Sequence, residues 1–181
     1  MKKIWVLAIF SVMLVVLLIS TPVAAAPPAN YTITPNGIEI FAGIICGNTR
    51  YGATFVAPVL GTDGTNGVLS ASVNYQVPNP VANGSNTIVG GTWTLTITTK
   101  GETGTIMGKI TKGYVNWADP NFTGSGTAVG TTHMDLSITG GTGNYKKISG
   151  TGSFDGNDNH LPGINVFGTV VPTVNGTLAL N

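Results

Sequence analysis

Residues 69–77, Leu-Ser-Ala-Ser-Val-Asn-Tyr-Gln-Val, alternate without interruption. Leu69, Ala71, Val73, Tyr75 and Val77 take one side, and Ser70, Ser72, Asn74 and Gln76 the other. Successive strand side chains point to opposite faces, so a period of two reads as a strand with one buried and one wetted face. The pattern extends outward. Trp93, Leu95 and Ile97 oppose Thr92, Thr94, Thr96 and Thr98, while Met134, Leu136 and Ile138 oppose His133, Asp135 and Ser137. One-sided alternation of this kind belongs to antiparallel sheets.

Turn-forming residues punctuate these runs at Pro35-Asn36-Gly37, 61–67, 78–84, Lys100-Gly101, 119–126, 140–143 and 155–163. Between them about eight strands are expected, near 38–42, 51–57, 67–77, 87–99, 104–117, 126–139, 147–155 and 164–180. The last is long enough to split in two. Long strands joined by hairpins would expose long edges in a sandwich, and closure removes them. The expected fold is all-β, a closed eight-stranded antiparallel up-and-down barrel. Its inward set is Leu69, Ala71, Val73, Tyr75, Trp93, Leu95, Ile97, Met134, Leu136, Ile138 and Phe154, with Gly150 and Gly152 among them. Gly90, Gly108, Gly113 and Gly130 lie inside strand patterns, where glycine marks a bulge or a sharp bend. From Thr105 the apolar parity switches, from Ile106 and Ile110 to Val115 and Trp117, and a bulge at Gly113 would account for the slip.

The 181 residues include 26 Gly, 26 Thr and 16 Asn, only 8% are charged, and 42% are hydrophobic. Disorder needs more charge and less apolar content. The formal charge of +1 gives no basic excess for nucleic acid. Lys2 and Lys3, the apolar stretch Ile4–Ile19 and the small residues Val23–Ala26 have the layout of a secretory signal cleaved after Ala25. The apolar run is short for a bilayer span. The chain therefore divides into a signal peptide (1–25), an N-terminal part of the barrel (26–66) and the main barrel segment (67–181). Cleavage leaves 6 basic against 7 acidic residues, a product expected outside the cytoplasm and without a membrane span. Cys46, the single cysteine, reads as a packing residue beside Ile44 and Ile45. Asn30, Asn83, Asn121 and Asn175 fit the N-glycosylation pattern.

Leu136-Ser-Ile-Thr-Gly-Gly-Thr-Gly-Asn-Tyr-Lys-Lys-Ile-Ser-Gly-Thr-Gly-Ser-Phe154 resembles the hairpin of the allene oxide cyclase and dirigent barrel group. Gly91-Thr-Trp-Thr-Leu-Thr-Ile and Gly176-Thr-Leu-Ala-Leu fit the same layout. The motif covers about 20 residues and the strand layout roughly 67–181. The resemblance implies an eight-stranded antiparallel barrel, often trimeric in relatives, and carries over only Gly140, Gly141, Gly143, Tyr145 and Gly150. Those have structural roles, positive φ in a tight turn and a ring packed beneath it.

Residues fit for chemistry are few. His133 and Asp135 share a face opposite Met134, Leu136 and Ile138, which places them outside as a surface polar pair. No lumen-facing acid is found on the clearly alternating strands, although the relatives' enzymology uses one. There is no Gly-x-Ser-x-Gly elbow. Gly140-Gly-Thr-Gly143 lacks the lysine and helix of a phosphate loop. Asp155-Gly-Asn-Asp-Asn-His160 departs from the EF-hand pattern and reads as a solvated turn. No catalytic residue, cofactor or metal site is assigned, and the balance is against an enzyme. The expectation is a secreted barrel that binds an apolar small molecule in its lumen through Tyr75, Trp93, Met134 and Phe154. Two alternatives stand beside it. One is an extracytoplasmic structural or surface-assembly protein with a solid core, and the other a cofactor-free isomerase or cyclase of the allene oxide cyclase type.

Overall fold

The computed structural model of the protein describes residues 30–44, 51–61, 64–77, 84–99, 102–117, 128–162 and 170–181. The proposed signal segment, Cys46 and the 119–126 connection lie outside them. The described residues form an all-β structure of strands β1 (Asn30–Ile44), β2 (Tyr51–Gly61), β3 (Asn66–Tyr75), β4 (Gly84–Thr99), β5 (Glu102–Trp117), β6 (Ala128–Gly141), β7 (Gly150–Pro162) and β8 (Val170–Leu180). All pairings are antiparallel, and from β2 to β8 neighbours in the sheet are neighbours in sequence. The sheet curls about its apolar face, and β1 has backbone register with β2 on one side and β8 on the other. Among the described residues the only helical element is one 3-10 turn, Gly143–Tyr145.

The apolar parity of each strand becomes the concave face. Leu69, Ala71, Val73, Tyr75, Trp93, Leu95, Ile97, Met134, Leu136, Ile138 and Phe154 are all buried in one core. The wet face carries the threonines, and Thr96 and Thr98 stand directly across from Thr105 and Thr103. Burying these side chains is the main favourable term in folding, at about 1.5–3 kcal/mol for each large aliphatic group.

Irregularities re-aim the strands. In β4 the buried positions change from Asn86 and Ile88 to Trp93, Leu95 and Ile97. The slip falls where Asn74 pairs with Gly90 but Tyr75 pairs with Ile88. Gly90 and Gly91 there take φ of 151° and 154°, values that side chains disfavour. The parity switch in β5 is present but lies earlier than Gly113. Ile110 pairs with Leu136 and Lys112 with Asp135, so Thr111 is the extra residue, and Thr111 and Lys112 are both exposed. Gly113 is regular and pairs with Met134. Glycine composition pointed to the wrong residue, because a threonine on the wet face fills the bulge equally well.

Three further expectations are corrected. Pro35-Asn36-Gly37 is no turn; it lies within β1, at a register irregularity between Ile33 and Ile38. Residues 155–162 are no solvated turn either, since β7 continues to Pro162 and pairs with β6 and β8 on its two sides. The Asp, Asn and Gly of that segment have turn propensity, but ladders on both flanks satisfy its backbone and override it. Gly150 keeps the inward register, opposite the buried Ile138, but is exposed at the start of β7 rather than part of the core, with φ of 154°.

The 140–150 hairpin closes one end of the core. Thr142 N–H donates to the Thr105 carbonyl at 2.9 Å, and Thr105 N–H donates to Thr142 Oγ1 at 3.1 Å. Gly143 has φ of 58°, and the half-buried Tyr145 and the buried Ile148 pack down onto the core. Strands β2, β4 and β6 finish at this end, and β1, β3, β5 and β7 finish at the other.

Candidate functional site

The four side chains expected to hold a ligand, Tyr75, Trp93, Met134 and Phe154, all face the concave side of the sheet and are at most 8% exposed. They do not line a single pocket. Tyr75, Met134 and Phe154 border one cavity of about 30 Å3. Trp93, Met134 and Phe154 border a second of about 20 Å3. Leu69 and Ala71 line both cavities, together with Met134 and Phe154. Both are far below the ~150 Å3 of a cavity that takes up a benzene molecule.

The packing follows from what faces what across the sheet. Trp93 stands directly opposite Gly108. A Cβ on Gly108 would sit 2.5 Å from Trp93 Nε1 and clash still more severely with the Ser137 carbonyl oxygen. The indole thus occupies the space that a side chain on β5 would need. Gly156 and Gly176 stand in the same relation to Phe154, whose ring atoms come to 2.7 Å from the Cβ position of each. Small residues beside large aromatics are spent mostly on interdigitation.

The polar groups of the larger cavity are those the strand alternation did not reveal. Its lining includes Thr132 and Asp158, which are 5% and 3% exposed. Thr132 continues the inward parity of Met134 and Leu136, and Asp158 continues that of Phe154. The concave face therefore carries an acid, contrary to the expectation that none faces inward. Reading 155–160 as a turn hid it. The detectable signal was the continued alternation Phe154, Gly156, Asp158 beyond the apparent end of the strand. Asp155 and Asp158 take opposite faces, exposed and buried respectively, and do not converge as a calcium loop would require. The Thr132 hydroxyl and the Trp93 indole N–H are buried with no hydrogen-bond partner among the described residues.

Near the same end, Asn86 is fully buried, and its Nδ2 donates to the Val77 carbonyl at 3.0 Å. Its Oδ1 accepts from Val77 N–H at 3.4 Å. The amide copies a strand ladder and holds the chain as it leaves β3, a structural role.

His133 and Asp135 lie on the outer face, as their parity requires. His133 Nδ1 is 2.6 Å from Asp155 Oδ1, and Nε2 is 3.2 Å from Asp135 Oδ1. Lys112 Nζ lies 3.3 Å from Asp135 Oδ2, and the Tyr114 ring packs 5.7 Å from the imidazole. The Asp155 carboxylate, with Asp135 behind it, raises the His133 pKa against a smaller opposing effect of burial. Lys112 and then His133 hold the Asp135 carboxyl below its usual range. Both ring nitrogens are engaged by carboxylates, which suits a charged imidazolium as a cross-strand tie rather than a free general base. Among the described residues no three side chains converge as metal ligands.

Comparison with family models, with curated proteins and with solved structures gives no match.

Proposed function

We propose that the protein is an exported β-barrel that binds an apolar small molecule in its lumen. In this reading residues 1–25 are removed on export, and the remaining chain closes as an eight-stranded up-and-down barrel of the allene oxide cyclase and dirigent type. Closure is supported by the backbone register of β1 with both β2 and β8. The observation that carries the binding reading is the pair of polar side chains in an otherwise apolar cavity. A buried hydroxyl without a partner costs about 1–3 kcal/mol, so a lumen built only for stability gains by an apolar residue at Thr132.

The ligand is small, since the crevices are well under the ~300–1,000 Å3 of drug-sized pockets. It enters by rotation of Met134, an unbranched and adaptable side chain that borders both. Extraction of the protein from its native source into organic solvent, followed by mass spectrometry, tests this. One apolar compound in stoichiometric amount is the expected result, and none rejects it. The crevice volumes favour a second reading, a structural or surface-assembly protein with a solid core, and that reading gains if extraction is blank.

A further inference from the structure

We infer that the lumen ligand carries a hydrogen-bond-donating head, a hydroxyl or an ammonium, which docks between Thr132 and Asp158 while its hydrocarbon body runs toward Met134 and Phe154. The inference rests on the lumen-binding reading and adds which end of the ligand is recognised, and by what. Across β6 and β7 Thr132 stands directly opposite Gly156, and Asp158 is the next inward position along β7. Such diagonal neighbours are about 7–8 Å apart at the backbone, a span that one oxygen or nitrogen bonded to both side chains can bridge. Gly156 has no side chain of its own there, and the Phe154 ring lies over it as the wall along which the hydrocarbon body would run. Thr132 is 5% exposed and lines the cavity, and its buried hydroxyl has no partner among the described residues. Among the described residues that line the cavity there is no lysine, arginine or histidine.

The two groups define what the head must be. A carboxylate offers only acceptors, and a hydroxyl offers one donor and two acceptor sites. A ligand hydroxyl can donate to Asp158 while accepting from Thr132, and an ammonium can donate to both. A ligand carboxylate beside Asp158 would put two acids on one apolar site, where both cannot ionise together. The site therefore selects alcohols or amines and rejects fatty acids of the same length. It also sets polarity: the head lies toward the end where β7 runs into connection 163–169, away from the end closed by Tyr145.

The test is calorimetric titration of the whole protein with matched six-carbon compounds: 1-hexanol, hexylamine, hexane and hexanoate. At least one of the first two is expected to bind about tenfold or more tighter than hexane, the scale of one good hydrogen bond to a charged group, with hexanoate weakest. Thr132→Val, nearly the same shape, and Asp158→Asn are each expected to shrink that preference, read as the ratio of alcohol or amine affinity to hexane affinity in the same variant. Loss of preference for hexylamine alone in Asp158→Asn identifies an ammonium head. Equal binding of hexane, tight binding of hexanoate, or a preference unchanged in both variants overturns the donor-head assignment while leaving lumen binding intact. If none of the four binds, lumen binding falls and the assignment falls with it.

Discussion

Replacing Trp93 separates two opposing effects at one position. The side chain is 2% exposed and lies over Gly108, in contact with the core on every side. A tryptophan buries about 150–250 Å2, which at ~25 cal/mol per Å2 corresponds to roughly 4–6 kcal/mol. Alanine retains a small part of this, and the neighbouring strands cannot collapse into the gap, because both are held by ladders. Trp93→Ala is therefore expected to cost about 3–5 kcal/mol. The indole N–H works the other way: it is buried with no partner among the described residues, at a cost of about 1–3 kcal/mol. Trp93→Phe removes that donor and leaves only a small cavity, so its net cost should stay below about 1.5 kcal/mol. Equilibrium urea unfolding followed by far-ultraviolet circular dichroism gives both numbers, provided the slopes match the wild type. A loss below 1 kcal/mol for alanine would mean that Trp93 is not in the core. A phenylalanine variant as damaged as the alanine variant would mean that the N–H is engaged.

Gly108→Ala should cost at least about 1–3 kcal/mol by overpacking, and Trp93→Ala in the same chain should not rescue it, because the Ser137 carbonyl also blocks the new Cβ. Recovery in the double variant, read by the same unfolding assay, would show that only the indole was in the way. Asn86→Ala should cost about 1–3 kcal/mol, since it strips both polar groups of Val77 of their partner; a neutral result in urea unfolding would remove the clamp from the account. The His133 cluster gives a pH signature. A raised imidazole pKa contributes stability below about pH 6.5 that is lost as pH rises through the higher folded value. The lowered Asp135 value contributes above about pH 3.8 and is lost as pH falls through the still lower folded value. The stability gap between wild type and His133→Gln should therefore be largest near pH 4–6.5 and shrink on either side, and a gap constant from pH 5 to 9 would contradict it.

What the sequence made legible is what local alternation encodes. Tyr75, Trp93, Met134 and Phe154 could be set inward, and His133 and Asp135 outward, because each lies in a strand whose two parities differ in polarity. Alternation fails where composition resembles a turn. Asp-Gly-Asn-Asp-Asn carries no apolar residue to mark a buried parity, and its strand state comes from β6 and β8 on either side. The inward position of Asp158 is illegible in the sequence for that reason. The bulge at Thr111 was sensed only as a slip between Ile110 and Val115, with no residue type to fix its place. Cavity size was beyond local reading altogether. It depends on cross-strand partners such as Trp93 over Gly108 and Phe154 over Gly156 and Gly176, and those follow from register set far along the chain.

Methyl labelling addresses lumen binding most directly. Met134 borders both crevices, whereas Met107 is 38% exposed on the outer face. In protein carrying 13C-methyl methionine, titration with 1-hexanol should shift the Met134 resonance saturably and leave Met107 in place. Met134 unmoved, or Met107 moving in parallel with it, would contradict a ligand site inside the barrel.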